Sequence, residues 1–208
     1  MITLGVLVSG TGTNLQAILD AIASGKLDAR VGVVVSNVPG AKALSRAADA
    51  GARTAVVDHT QYSDRRAFDA AVVEALRAHG VELVVLAGFM RLVTDVLLDA
   101  YPMRIVNVHP ALLPAFPGLH AQRQAIDYGV RVSGVTVHLV DAGTDSGPIV
   151  AQTAVPVHEG DDEDSLRQRI LKEEHALLPR VLQWFSEGRV TVEPAPPGKR
   201  GKVRVAGA

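Results

Sequence analysis

Four short apolar runs, Ile2–Val8, Ala29–Ser36, Thr54–Val57 and Glu82–Ala87, are separated by stretches whose apolar residues recur at helical spacing, and this alternation restricts the fold more than any other feature. Between the first two runs, Leu15, Ile18, Leu19 and Ile22 mark a helix over Asn14–Ala23 that closes near Gly25. Ala41–Ala50, closed by Gly51, and Arg65–His79 follow the same pattern. Strands joined by helices of this length pair in parallel through right-handed crossovers, and such a sheet is covered on both faces. Aromatic residues make up only 4% of the chain, so the core is built from Val, Leu, Ile and Ala. The expected fold is α/β, a Rossmann-like, mostly parallel twisted sheet with helices on both faces.

The second half changes rhythm. Ile105 to His109 reads as a buried strand that carries an amide and an imidazole two residues apart, and Pro110 stops it. Successive strand side chains point to opposite faces, so Asn107 and His109 lie on one side, about 6–7 Å apart, with Val106 and Val108 on the other. One reading is an edge strand with two solvated polar residues; the other is a ligand site at the carboxyl end of a strand, where open α/β sheets bind. A proline-rich loop over Leu112–Gly118 leads to a helix at His120–Tyr128. Val132–Val140 and Ile149–Val157, joined by the loop Asp141–Pro148, are expected to form an antiparallel pair. A long helix spans Asp161–Ser186, with Asp162, Glu163 and Asp164 suited to its first turn. Residues 1–193 are expected to form a single domain, and 194–208, rich in proline, to lack regular structure. The charges of Lys199, Arg200, Lys202 and Arg204 in that stretch read as solvated.

Composition removes several classes of function. A net charge of −1 gives no general reason to bind nucleic acid. With no cysteine, disulfides, thiolate metal sites and cysteine nucleophiles are excluded. His109, His120, His138 and His175 have no ligand spacing such as His-x-x-x-His, so no metal is expected. The amino terminus lacks a basic region before its apolar run, and no run suits a bilayer, which leaves a cytoplasmic protein with no membrane partner as the expectation.

Ser9-Gly10-Thr11-Gly12-Thr13-Asn14 lies between a strand and a helix, where free N–H groups and a partial positive charge attract anions. Leu15 stands where a dinucleotide fingerprint needs its third glycine, and Ser36-Asn37 where it needs an acid. No Gly-Lys-Ser/Thr follows, so a single phosphomonoester fits best. Gly88 lets a flat ligand approach the main chain, and Met90, Leu92 and Val93 offer apolar wall, although Met90 taken alone is more often core than ligand contact. His138, in an alternating strand, reads as structural, and Glu173-Glu174-His175 as a helix face whose carboxylates could hold an amine or ribose hydroxyls. An anionic Asp145 in reach of His109 would raise its pKa, and a cationic His109 beside Asn107 would stabilise an oxyanion of acyl transfer.

Ser9-Gly-x-Gly-x-Asn14, Leu86-Ala-Gly-Phe-Met-Arg91, Asn107-x-His-Pro110, Leu112-Leu-Pro114, Pro117-Gly-Leu-His120, Asp145-x-Gly-Pro148 and Glu174-His175 occur in this order. Together they resemble the folate-dependent formyltransferases over about residues 1–190. Within that family, the likeness is to members that formylate glycinamide ribonucleotide in purine synthesis. The resemblance implies Asn107, His109 and Asp145 as the catalytic set. It implies Gly12, Thr13 and Asn14 as the ribonucleotide phosphate site, with Leu171, Lys172, Glu173 and Glu174 completing the ribonucleotide site. It implies Arg65, Met90, Arg91, Leu92, Val93, Asn107 and Asp141, Ala142, Gly143, Thr144 and Asp145 as binders of the co-substrate 10-formyltetrahydrofolate. Thr11 and Thr13 depart from the family's common Asn and Ser, and Leu171 stands where some members carry a polar or basic residue. The expected partners are small-molecule substrates, and a homodimer is compatible with the sequence. Rival readings are a formyltetrahydrofolate hydrolase and a methionyl-tRNA formyltransferase, families whose members carry a further domain, and a non-catalytic folate or nucleotide sensor.

Overall fold

A computed structural model describes residues 1–193, 196 and 200–207. Its elements follow the expected alternation: β1 (Ile2–Val8), α1 (Thr13–Ala23), β2 (Ala29–Ser36), α2 (Lys42–Asp49), β3 (Thr54–Val56), α3 (Arg65–Ala78), β4 (Leu83–Leu86), α4 (Asp95–Ala100), β5 (Ile105–His109) and α5 (Ala121–Tyr128). They continue with β6 (Val132–Leu139), β7 (Ile149–Pro156), α6 (Glu163–Ser186), β8 (Val190–Glu193) and β9 (Lys202–Val205). The main sheet runs β3-β2-β1-β4-β5-β6-β7. The first five strands in that order are parallel, and β6 and β7 are antiparallel additions, as the sequence predicts.

Two apolar layers follow from strand alternation. Leu4, Val6 and Val8 of β1 face a core made with Leu15 and Ile18 of α1, Ala43 and Ala47 of α2, and Leu166, Ile170, Leu178 and Leu182 of α6. Leu7, from the same strand, faces Phe68, Val72 and Leu76 of α3 and Leu97 of α4. The long α6 starts where its residues dictate: the Asp162 carboxylate accepts from the Ser165 N–H, and the Ser165 hydroxyl accepts from the Asp162 N–H.

Two differences from the sequence reading stand out. The short α4 was not expected. The stretch past Pro194 is not devoid of regular structure, because Lys202–Val205 forms β9 and pairs antiparallel with β8 from Val190↔Val205 to Glu193↔Lys202. Val203 and Val205 supply the alternation that the surrounding charges and prolines obscure; residues 194, 195, 197–199 and 208 of that stretch lie outside the described residues.

The loop between β6 and β7 has little freedom at its base. A methyl group on Gly147 would run into the Leu139 carbonyl, so only glycine lets the two segments approach. Gly147→Ala is expected to destabilise the fold by about 3 kcal/mol, the range for forced overpacking. Urea unfolding checks this, and an unchanged midpoint would contradict it.

Candidate active site

Two loops meet at the carboxyl end of β5, the one that follows it and the one between β6 and β7. Asn107 is half-buried and His109 is buried, while Val106 and Val108 face the apolar core, so the alternation expected along this strand holds. Opposite them on β6, His138 pairs with Asn107 and Thr136 with His109. The Thr136 hydroxyl donates to the Ala111 carbonyl at 2.6 Å and accepts from the Leu113 N–H at 3.0 Å, which anchors the loop after β5. That loop brings the Phe116 carbonyl to 2.8 Å from His109 Nε2 and lets the Gly118 N–H donate to Asp145 Oδ2 at 2.8 Å.

Asp145 arrives from the β6–β7 loop at a left-handed backbone position, φ 52°. Its Oδ2 lies 3.3 Å from His109 Nδ1, and its Oδ1 lies 3.5 Å from both Asn107 Nδ2 and His138 Nε2. Asn107, His109 and Asp145, distant in sequence, are therefore brought together. Burial works against the Asp145 charge, but the His138 ring, the hydrogen bond from the Gly118 N–H and the neighbouring His109 ring hold its carboxyl below the usual range. It is a carboxylate at neutral pH.

His109 behaves otherwise than the sequence reading expects. Burial pushes its imidazole below the ordinary value, and the Asp145 charge and Phe116 carbonyl pull upward without overcoming it. Both ring nitrogens face acceptors, so the two contacts are fully satisfied only by the imidazolium, which burial disfavours in the free chain. The sign for stability follows. Below its ordinary value of 6.5 the unfolded chain binds the proton more readily, so the stability from neutral His109 is present above that pH and lost as pH falls through the folded value. Melting temperature should drop between pH 7 and pH 5, and drop less in His109→Gln; equal slopes would contradict this.

His138, read from the sequence as a structural residue, stands against the two residues singled out on β5 and in the β6–β7 loop. Its Nδ1 lies 2.9 Å from the Leu139 carbonyl, and its Nε2 lies 3.1 Å from Asn107 Nδ2 and 3.5 Å from Asp145 Oδ1. The ring thus packs against both the Asn107 amide and the Asp145 carboxylate. The signal was the polar stripe Thr136–His138 facing Asn107 and His109 across an antiparallel pair.

The glycine turn follows β1, two strands away from β5 in the sheet. Gly12 caps α1 at φ 72° with no side-chain hydrogen bond, which leaves the first N–H groups, at Thr13, Asn14 and Leu15, without intrahelical partners. Packing excludes a side chain at Gly12 too, since a Cβ there would lie 2.8 Å from Ala43 Cα of α2. Asn14 Nδ2 donates to Glu174 Oε2 at 2.7 Å, joining α1 to α6, and Asn14 Oδ1 is buried without a partner. Of Leu171, Lys172, Glu173 and Glu174, the structure brings Glu174 to this turn; Lys172 is exposed on another face of α6, and Leu171 and Glu173 are half-buried.

Burial raises the Glu174 pKa, against the Asn14 hydrogen bond. A raised carboxyl gives stability that is present below its ordinary value of 4.5 and lost as pH rises through the folded value. Glu174→Gln, which keeps an acceptor for Asn14, should therefore raise the melting temperature at pH 8. A lower one would contradict burial as the dominant influence.

Ser9 ties this turn to the strand-end segment after β4. Its N–H donates to the Gly88 carbonyl, and its hydroxyl donates to Asn37 and accepts from the Met90 N–H. Met90 and Leu92 are 67% and 57% exposed, so Met90 is open apolar wall and not core. Val93 packs against the α3–α4 core layer. Arg91 lies 5.1 Å over the Phe68 ring, which stacks on Phe89, and its Nε is buried without a partner. Arg65 stands exposed at the start of α3; the contacts from that helix to this segment come from Phe68, Asp69 and Arg66 instead. In the β6–β7 loop, Asp141 accepts from Ser146 and the Gly143 N–H, leaving Ala142, Gly143 and Thr144 as an exposed tip. Among the described residues no cluster of acidic or histidine side chains has metal-binding geometry. No helix among them is long and apolar enough to cross a membrane.

A family model described as formyl transferase matches residues 3–182. The chain belongs to the formyl transferase family. A member from Escherichia coli, a phosphoribosylglycinamide formyltransferase, is 41% identical over 185 residues, covering 89% of this chain and 87% of that protein. The trifunctional purine biosynthetic protein adenosine-3 of Drosophila melanogaster is 46% identical over 191 residues; this chain spans 14% of its length. Among solved structures, glycinamide ribonucleotide transformylase 1 from Symbiobacterium toebii superposes with a TM-score of 0.94 at 54% identity, covering 99% of this chain and 94% of that one. The mostly parallel sheet with its antiparallel pair is thus the fold of this formyl transferase family.

Proposed function

We propose that the chain transfers the formyl group of 10-formyltetrahydrofolate to the amine of glycinamide ribonucleotide, a step of purine synthesis, as a cytoplasmic enzyme acting on small molecules. The observation that carries this reading is the meeting of Asn107, His109 and Asp145 at the end of β5, in the same sheet whose β1 and β4 lead into an uncapped helix start and an exposed apolar wall. The ribonucleotide phosphate sits on the N–H groups of Thr13 and Asn14, with Glu174 holding another polar group of the same substrate. The folate lies along Met90, Arg91, Leu92 and Val93 and under Asp141–Asp145, and Arg65, exposed at the start of α3, is its outermost contact.

The free amine attacks the formyl carbon, and the carbonyl electron pair moves onto oxygen. Asn107 donates an N–H to that oxygen and His109 stabilises it from the other side. Burial makes an imidazolium unfavourable before reaction, but a new oxyanion beside the ring favours it. Proton uptake and charge development therefore reinforce one another, and the stabilisation belongs to the transition state more than to the bound substrates. Asp145 accepts from His109 and, directly or through water, takes the proton lost by the amine. Collapse of the intermediate re-forms the carbonyl and expels the folate nitrogen, which takes the proton that Asp145 received from the amine, while His109 gives back to solvent the proton it took up, leaving the formylated ribonucleotide and tetrahydrofolate. No side chain is acylated.

The test offers 10-formyltetrahydrofolate with glycinamide ribonucleotide, with water alone, or with charged initiator tRNA. Formylated ribonucleotide is expected with the first, and neither formate nor formylated tRNA at a comparable rate with the others. Formate at the same rate without ribonucleotide would make the protein a hydrolase, and formylated tRNA alone would sink the ribonucleotide reading. Binding of both ligands without transfer would identify a sensor.

A further inference from the structure

The segment that the sequence presents as a solvated basic stretch reaches the centre of the site. Arg200 Nη2 donates to the backbone carbonyl of Asp145 at 2.9 Å, across 55 positions of sequence, from a half-buried setting. The approach is built by the hairpin behind it. Glu193 and Lys202 close the β8–β9 pair, and Gly201 passes so near Pro148 that a Cβ on it would lie 3.2 Å from the Pro148 ring. Pro148 ends the loop that carries Asp145 and leads into β7.

Asp145 needs such support. Its φ of 52° is a left-handed conformation that costs a residue with a Cβ, so the loop holds it only where the surroundings fix it. The side chain is fixed from one side by the Gly118 N–H. The main chain is fixed from the other by Arg200. The contact pairs a full charge with a carbonyl dipole, so it is stronger than a neutral hydrogen bond and it aims the group that carries it. A change of a few tenths of an ångström at the carbonyl would rotate the carboxylate away from His109, whose Nδ1 already lies at 3.3 Å.

We propose that Arg200 is a positioning residue for formyl transfer, setting the backbone of Asp145 so that its carboxylate meets His109. This rests on Asp145 being catalytic, as argued above. Removal of Arg200 should lower kcat and leave ribonucleotide binding alone, because the glycine turn and Glu174 lie apart from the β6–β7 loop.

The experiment compares the full chain with Arg200→Ala, Arg200→Lys and Asp145→Asn for kcat, KM of glycinamide ribonucleotide and melting temperature. Arg200→Ala is expected to lose about tenfold in kcat, the size of one charge-assisted hydrogen bond, with KM within about twofold. Arg200→Lys, which can still donate to the carbonyl, should recover most of the loss. Three results would overturn the proposal while Asp145→Asn remains inactive: wild-type kcat in Arg200→Ala, a loss no larger than its unfolded fraction, or a loss shared equally by kcat and KM. An active Asp145→Asn would instead overturn the catalytic role of Asp145 itself.

Discussion

Asp145→Asn should lower kcat by about a thousandfold while changing the KM of glycinamide ribonucleotide little, the scale seen when a charged group acting in the transition state is removed. The replacement keeps the size of the side chain and the acceptor for the Gly118 N–H, so the loop keeps its place. What is lost is the anion 3.3 Å from His109 Nδ1, which opposes the burial that disfavours an imidazolium. The carboxylate that accepts the amine's proton goes with it. The effect should therefore fall on chemistry and not on binding. Steady-state rates with the ribonucleotide varied at saturating folate separate the two. Near-full turnover would remove Asp145 from the mechanism.

His109→Gln should cost about a hundredfold to a thousandfold in kcat. Glutamine can still donate one N–H toward a developing oxyanion and reach the Phe116 carbonyl, so geometry is partly preserved. It cannot gain a proton as the charge forms. The residual rate should also lose any dependence on a group titrating near His109, whereas the wild-type rate keeps it. A variant with a wild-type rate and a wild-type pH profile would show that neutral donors suffice.

The fold was legible where local pattern decides it. The first five strands start and stop within about a residue or two of their apolar runs, because glycine and proline punctuate both ends. The six residues of α4 were not legible, since Thr94 and Asp95 are a start signal but Val96, Leu97 and Leu98 are too short a run to show helical spacing. β9 was hidden for a different reason: its order comes from pairing with β8, not from its basic composition. In the site, the common face of Asn107 and His109 followed from strand alternation alone. The meeting with Asp145 did not, and entered only through the resemblance of motifs. His138 read as structural, and its place beside Asn107 depends on the pairing of β5 with β6, which the residues of β6 alone do not give. The direction of the His109 shift was missed for a related reason. A nearby carboxylate can be guessed from sequence, but the depth of burial that outweighs it is a property of the packed structure.

Direct transfer through this site is tested most closely by a single-turnover experiment. The full chain is mixed with 10-formyltetrahydrofolate carrying a radiolabelled formyl group, with and without glycinamide ribonucleotide, and quenched at intervals. With ribonucleotide present, label should leave the folate and enter the ribonucleotide at one and the same rate, with none on the protein; without it, the folate should keep its label. Label found first on the protein, or released as formate at the same rate in the absence of ribonucleotide, would contradict direct formyl transfer.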